Sequence, residues 1–136
     1  MCAIADQAQA MLYYVESLAI KTLQNDIQGQ AITLGNLARL CLQFGRYQQA
    51  RSFTSLDLKL CRTEEKEIKA RLFNLMARID MADEQWESAE EHINTALGLL
   101  DNSSSDSLFF CLKDLAILKI EQHSITNAEK LLSDLC

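Results

Sequence analysis

Apolar and small residues recur along this chain at two spacings. The short one, three and four residues, is the period of one face of an α-helix. The long one is 39 residues. Ala38, Ala77 and Ala116 fall on it, as do Ala50, Ala89 and Ala128. Leu34, Phe73 and Leu112 make a third column, Leu37, Met76 and Leu115 a fourth, and Tyr47, Trp86 and Ile125 a fifth. Five columns in one register mark an internal repeat, and a repeat of this length is the signature of stacked supersecondary units.

The short period predicts seven helices. The first covers 3–24 and ends at Asn25 and Asp26. The second runs from about Gln28 to Phe44, with Leu34, Leu37, Ala38, Cys41 and Leu42 on one face, and Gly45 follows as a helix terminator. The third covers Tyr47 to Cys61. Thr63 is the expected cap of the fourth, with Glu64 and Glu65 in its first turn, and that helix reaches Ala82. After a turn without glycine at Asp83–Gln85, the fifth spans Trp86 to Leu100. The polar run Asp101–Ser107 reads as a structured loop, because the 39-residue step crosses it unbroken. The sixth helix covers Leu108 to Gln122 and the seventh Ser124 to Leu135. Short turns imply antiparallel neighbours. The alanines let helix backbones approach, so a charge at any of the six column alanines is expected to make the chain insoluble.

Composition agrees with an all-helical chain: proline is absent and only four glycines occur in 136 residues. The net charge is −6, unevenly spread. Residues 1–62 carry six Lys/Arg and four Asp/Glu, while residues 63–136 carry seven and fifteen. That balance argues against nucleic acid as a partner, since phosphate neutralisation needs a basic face. No run approaches the ~20 apolar residues of a membrane span, and MCAIADQAQA lacks the features of a signal peptide. The five cysteines are irregularly spaced and odd in number, which reads as reduced thiols in a cytoplasmic protein. Cys41 and Cys111 sit in apolar stretches as small hydrophobes.

The columns resemble the tetratricopeptide repeat, a helix–turn–helix with Leu and a small residue in its first helix, Gly-x-Tyr at the turn and Ala early in its second. Leu34, Leu37, Ala38, Gly45, Tyr47 and Ala50 fit the pattern in one unit. Phe73, Met76, Ala77, Trp86, Ala89, Ile93 and Ala96 fit in the next, with Glu84 where the turn glycine belongs. Leu112, Leu115, Ala116 and Ala128 fit in the last, with His123 at the turn. Ala10, Tyr13, Tyr14 and Leu18–Ile20 resemble the second half of a unit. The 39-residue step is similar to the longer-repeat subgroup found in bacterial sensor-regulators, kinesin light chains and polarity scaffolds. The resemblance implies a right-handed superhelical solenoid of antiparallel helix pairs in a single domain, 1–136, divided into a half repeat (3–25) and repeats at 28–62, 64–100 and 103–136. The pattern opens on a lone second helix and closes with Leu131, Leu132 and Leu135 uncovered. Two alternatives follow: a fragment of a longer array, or a chain that self-associates through its terminal helices.

The resemblance also implies a function, protein–protein interaction as a scaffold. In this family the first helices of each pair line a concave groove, which places Ile32, Gly35, Arg39, Leu42 and Gln43, then Arg71, Asn74, Arg78 and Met81, then Phe110, Lys113, Ile117 and Ile120 along it. Arg39, Arg71, Arg78 and Lys113 give that groove four cations in an otherwise acidic chain. Arginine suits bidentate carboxylate recognition, and Asn74 can hold a peptide backbone. The expected ligand is an acidic or C-terminal segment of a partner, seated over Leu42, Met81 and Phe110. The alternative is that these arginines pair with Asp80, Asp114 or Glu121. The acids Asp83, Glu84, Glu87, Glu90 and Glu91 read as a solvated outer face. His92 and His123 have no second ligand at a metal spacing, no cofactor is implied, and no nucleophile elbow or phosphate loop appears, so an enzyme is not expected.

Overall fold

The computed structural model describes residues 3–100 and 105–135. The described residues are almost wholly helical and contain no strand, in six helices. These are α1 (Ala3–Leu23), α2 (Ile27–Gln43), α3 (Tyr47–Leu60), α4 (Lys66–Ala82), α5 (Trp86–Leu99) and α6 (Ser105–Leu135). Each helix packs on the next, and α4 also touches both α2 and α6. Asp101–Ser104, within the expected loop, and Cys2 and Cys136 lie outside the described residues.

Three of the turns share one backbone solution. Asn25, Gly45 and Glu84 each take a left-handed conformation, with φ of 56°, 75° and 58°. In each turn the following amide bonds back across it: Asp26 N to Lys21 O at 2.9 Å, Arg46 N to Cys41 O at 2.8 Å and Gln85 N to Asp80 O at 2.8 Å. This Schellman closure satisfies carbonyls that the helix end would leave bare. Gly45 adopts it without steric cost, whereas Glu84 adopts it against its own preference. Asp26 then caps α2 by accepting a 2.9 Å hydrogen bond from the Gly29 amide.

The core follows the repeat columns. Ala38, Cys41, Ala50, Leu75 and Ile79 form one cluster, with Met11, Tyr47 and Phe53 against it. Ala77, Ala89, Ile93 and Leu118 form a second, with Trp86 and Leu115 alongside. A third joins Ala70, Ala96 and Cys111. Cys41 and Cys111 are buried free thiols, and burial pushes both above the ordinary thiol range.

Two expectations fail. Thr63 does not cap α4: the helix starts at Lys66 behind Glu65, which makes no side-chain cap bond. Glu65 instead accepts from Arg62 Nε at 2.9 Å, closing a tight turn that takes Thr63 out of the cap position. The sixth and seventh helices are one. α6 runs 31 residues straight through Gln122–Ser124, so the last helix pair, 103–136, is not formed and the described helices number six rather than seven. No glycine or proline interrupts that stretch, and local propensity alone carries the helix through. One consequence is that Ala116 is exposed, while Ala38, Ala77, Ala50 and Ala89 are fully buried.

Candidate functional site

The packing of α6 against α4 brings together residues that lie up to 74 positions apart, from Arg39 to Lys113. Arg39, Arg71, Asn74, Arg78, Phe110 and Lys113 line one cavity of about 280 Å³. The two remaining candidates are elsewhere. Leu42 packs against the Ala38–Ile79 cluster and Met81 against the Ala77–Leu118 cluster. Both are partly buried against the core and do not line this cavity.

The cations differ in their engagement. Arg71 bonds Glu67 at 3.2 Å and Ser107 Oγ at 3.4 Å, and Ser107 itself donates to Glu67 at 3.0 Å. These bonds tie α4 to the first turn of α6. Arg78 Nε lies 3.9 Å from Asp114 Oδ2, at the limit of an ion pair. Arg39 and Lys113 make no ion pair among the described residues, and both are exposed. Of the expected internal carboxylates, Asp114 therefore takes one arginine, whereas Asp80 pairs with Arg51 and His92 on the far side of α4.

Asn74 sits between these charges at 9% exposure, and its Oδ1 is buried without a hydrogen-bond partner. An amide acceptor in that state costs free energy unless something supplies a donor. Asn74 thus lines the cavity together with the four cations, Asp114 and Phe110.

A larger cleft of about 910 Å³ shares Arg39 and Arg71 with this cavity. Ile27, Ala31, Ile32, Leu60 and Ile68 give it apolar walls. Asp57 faces it from α3 and is buried. Burial pushes its carboxyl up to about 6, with Arg39 pulling weakly the other way. Gly35 keeps this floor open: a Cβ there would meet Arg39 Nη1 at 3.2 Å and Asp57 Oδ2 at 3.5 Å. Sequence reasoning missed Asp57, although Ala50, Thr54 and Asp57 form a single buried stripe of α3. A lone acid on an apolar stripe was the available signal.

Among the described residues no cluster of three His, Cys, Asp or Glu could hold a metal ion, and no helix is long and apolar enough to cross a membrane. Comparison with known proteins finds no matching family model, no matching curated protein and no matching solved structure.

Proposed function

We propose that this chain is a protein-interaction module of tetratricopeptide type, a superhelical solenoid whose groove holds an acidic segment of a partner peptide or protein. Arg39 and Lys113 bind the partner's carboxylates, Arg71 and Arg78 raise the local potential, Asn74 bonds the partner's backbone, and Phe110 packs on its apolar side. The observation that carries this reading is the convergence of Arg39, Arg71, Arg78 and Lys113 on one cavity that Asn74 and Phe110 also line. An extended peptide presents backbone N–H donors and side-chain carboxylates at such spacings. The arrangement suits a scaffold of the cytoplasm that works by binding rather than by catalysis.

The test is an array of extended peptides carrying Asp and Glu, each beside its Asn and Gln counterpart. The wild-type chain is expected to retain acidic peptides and to release them as salt is raised. R39E combined with K113E should abolish retention while leaving the helical signal intact. Retention that is equal for acidic and neutral peptides, or unchanged in the double variant, would falsify the groove reading.

A further inference from the structure

The first half of α6 shows to solvent a face that its counterparts bury. Leu34 is 4% exposed, but Leu112, two steps of 39 later, is 49% exposed. Ala38 and Ala77 are fully buried, and Ala116 is exposed. Ala38 of α2 is buried against α3 and α4, and Ala77 of α4 against α5 and α6, so the second helix of the pair contributes to the cover in each case. On α6 no described helix covers it.

The second half of α6 carries the columns of such a covering helix. Ile125 follows Trp86 by 39, Ala128 follows Ala89 and Leu132 follows Ile93. Ile93 is fully buried, but Leu132 is 65% exposed. Lys130 and Asp134 fall on the side away from Leu132, as on the solvent side of an amphipathic helix.

The two stripes cannot both be buried while α6 is straight. At about 3.6 residues per turn, Leu112 and Leu132 lie about 160° apart around the axis. A second copy lying antiparallel along α6 would touch one side only and leave the other stripe bare. A break at Gln122–Ser124 turns both stripes inward in one movement. The break has a defined place: His123 follows Glu84 by 39 residues, as Glu84 follows Gly45, and both of those take the left-handed turn conformation.

We infer that α6 is a hinged element with a second, closed conformation, in which Ser124–Leu135 folds back over the Leu112–Ala116 face and completes the last helix pair. The hinge residue is His123, and the register is that of α4 on α5, with Leu132 brought back onto the Leu112–Ala116 face as Ile93 shares a core cluster with Ala77. The inference is independent of the groove reading, since the covered face is not the one that carries Phe110 and Lys113.

Methyl-labelled NMR tests it in the intact chain. Twenty residues of helix separate Leu112 from Leu132 by about 30 Å, so no cross-relaxation can pass between their methyls in the extended form. Closure is expected to produce a Leu112–Leu132 cross-peak in the wild-type chain, strengthened in H123G and weakened in H123A, a helix-favouring change. The peak should survive dilution of labelled protein into an excess of unlabelled protein. Absence of the cross-peak in both wild type and H123G overturns the proposal. So does its loss on dilution, which would assign the contact to a second copy.

Discussion

Arg51 Nε lies 3.1 Å from Asp80 Oδ1, joining α3 of one helix pair to α4 of the next. Asp80 is 2% exposed, and its other oxygen meets His92 Nδ1 at 2.6 Å. Arg51 also reaches Asp83 at 2.9 Å. Burial works against the Arg51 charge, but its hydrogen bonds to Asp83 and Asp80 outweigh that and hold its pKa above the ordinary value. Removal of Arg51 leaves the buried Asp80 carboxylate with His92 as its one remaining side-chain partner among the described residues. R51A is expected to destabilise the chain by about 2–3 kcal/mol, read from urea denaturation at neutral pH. D83A, which leaves the Arg51–Asp80 bond in place, should cost well under half as much. Equal losses would place the weight on the exposed bond instead.

Asp57 makes stability depend on pH in the less usual direction. Burial raises its folded-state pKa to about 6 from an ordinary 3.8. The native chain therefore holds this proton more tightly than the unfolded chain does. Its contribution is favourable below the unfolded value and is lost as pH rises through about 6. The shift corresponds to about 3 kcal/mol. D57N cannot ionise, so its stability relative to wild type should rise between pH 4 and pH 7 by up to that amount. Paired denaturation curves at both pH values check this, and a constant difference would show that Asp57 titrates normally.

Glu84 holds a turn that glycine makes elsewhere. Its φ of 58° lies where a side chain costs energy, while Gly45 takes 75° in the equivalent turn. E84G is expected to stabilise the chain by about 0.5–1 kcal/mol, after the extra freedom of glycine in the unfolded state is deducted. A thermal melt measures it. A fall in melting temperature would mean that the Glu84 charge at the start of α5 outweighs the backbone relief.

The helices α2 to α5 were legible because each carries both periods at once: an apolar stripe fixes the helix, and the 39-residue step fixes its register; α1 was legible from the short period alone. The columns of Ala38 with Ala77 and of Ala50 with Ala89 are fully buried in α2 to α5, and Leu34 and Leu37 are buried with them, while Phe73, Met76, Tyr47 and Trp86 are partly buried around them. The groove cations were legible for the same reason, since Arg39 and Arg78 ride on that step. Leu42 and Met81 were misplaced because a groove and a core lie only a fraction of a turn apart on one helix. Asp80 escaped notice as a hub because its partners Arg51 and His92 come from two other helices, and no spacing records that. The continuous α6 departs from the repeat where local and long-range signals disagree: His123 neither favours the turn as glycine does nor forbids the helix as proline does.

The proposed groove assigns Asn74 a role that a stability measurement and a binding measurement can separate. Its Oδ1 is buried without a partner, so the folded chain carries an unmet desolvation cost at that position. A leucine of similar size has no such cost and would pack beside Leu75 and Cys111, which line the same cavity. N74L is therefore expected to raise stability by about 1 kcal/mol. It should also weaken retention of acidic peptides about tenfold, the loss of one backbone hydrogen bond made to a buried group. Both quantities come from one protein preparation, by denaturation and by peptide titration. A variant that is less stable and binds normally would assign Asn74 to the architecture. A variant that is more stable and binds poorly would show that this acceptor is kept unsatisfied for a ligand, as residues at binding sites often are at the expense of stability.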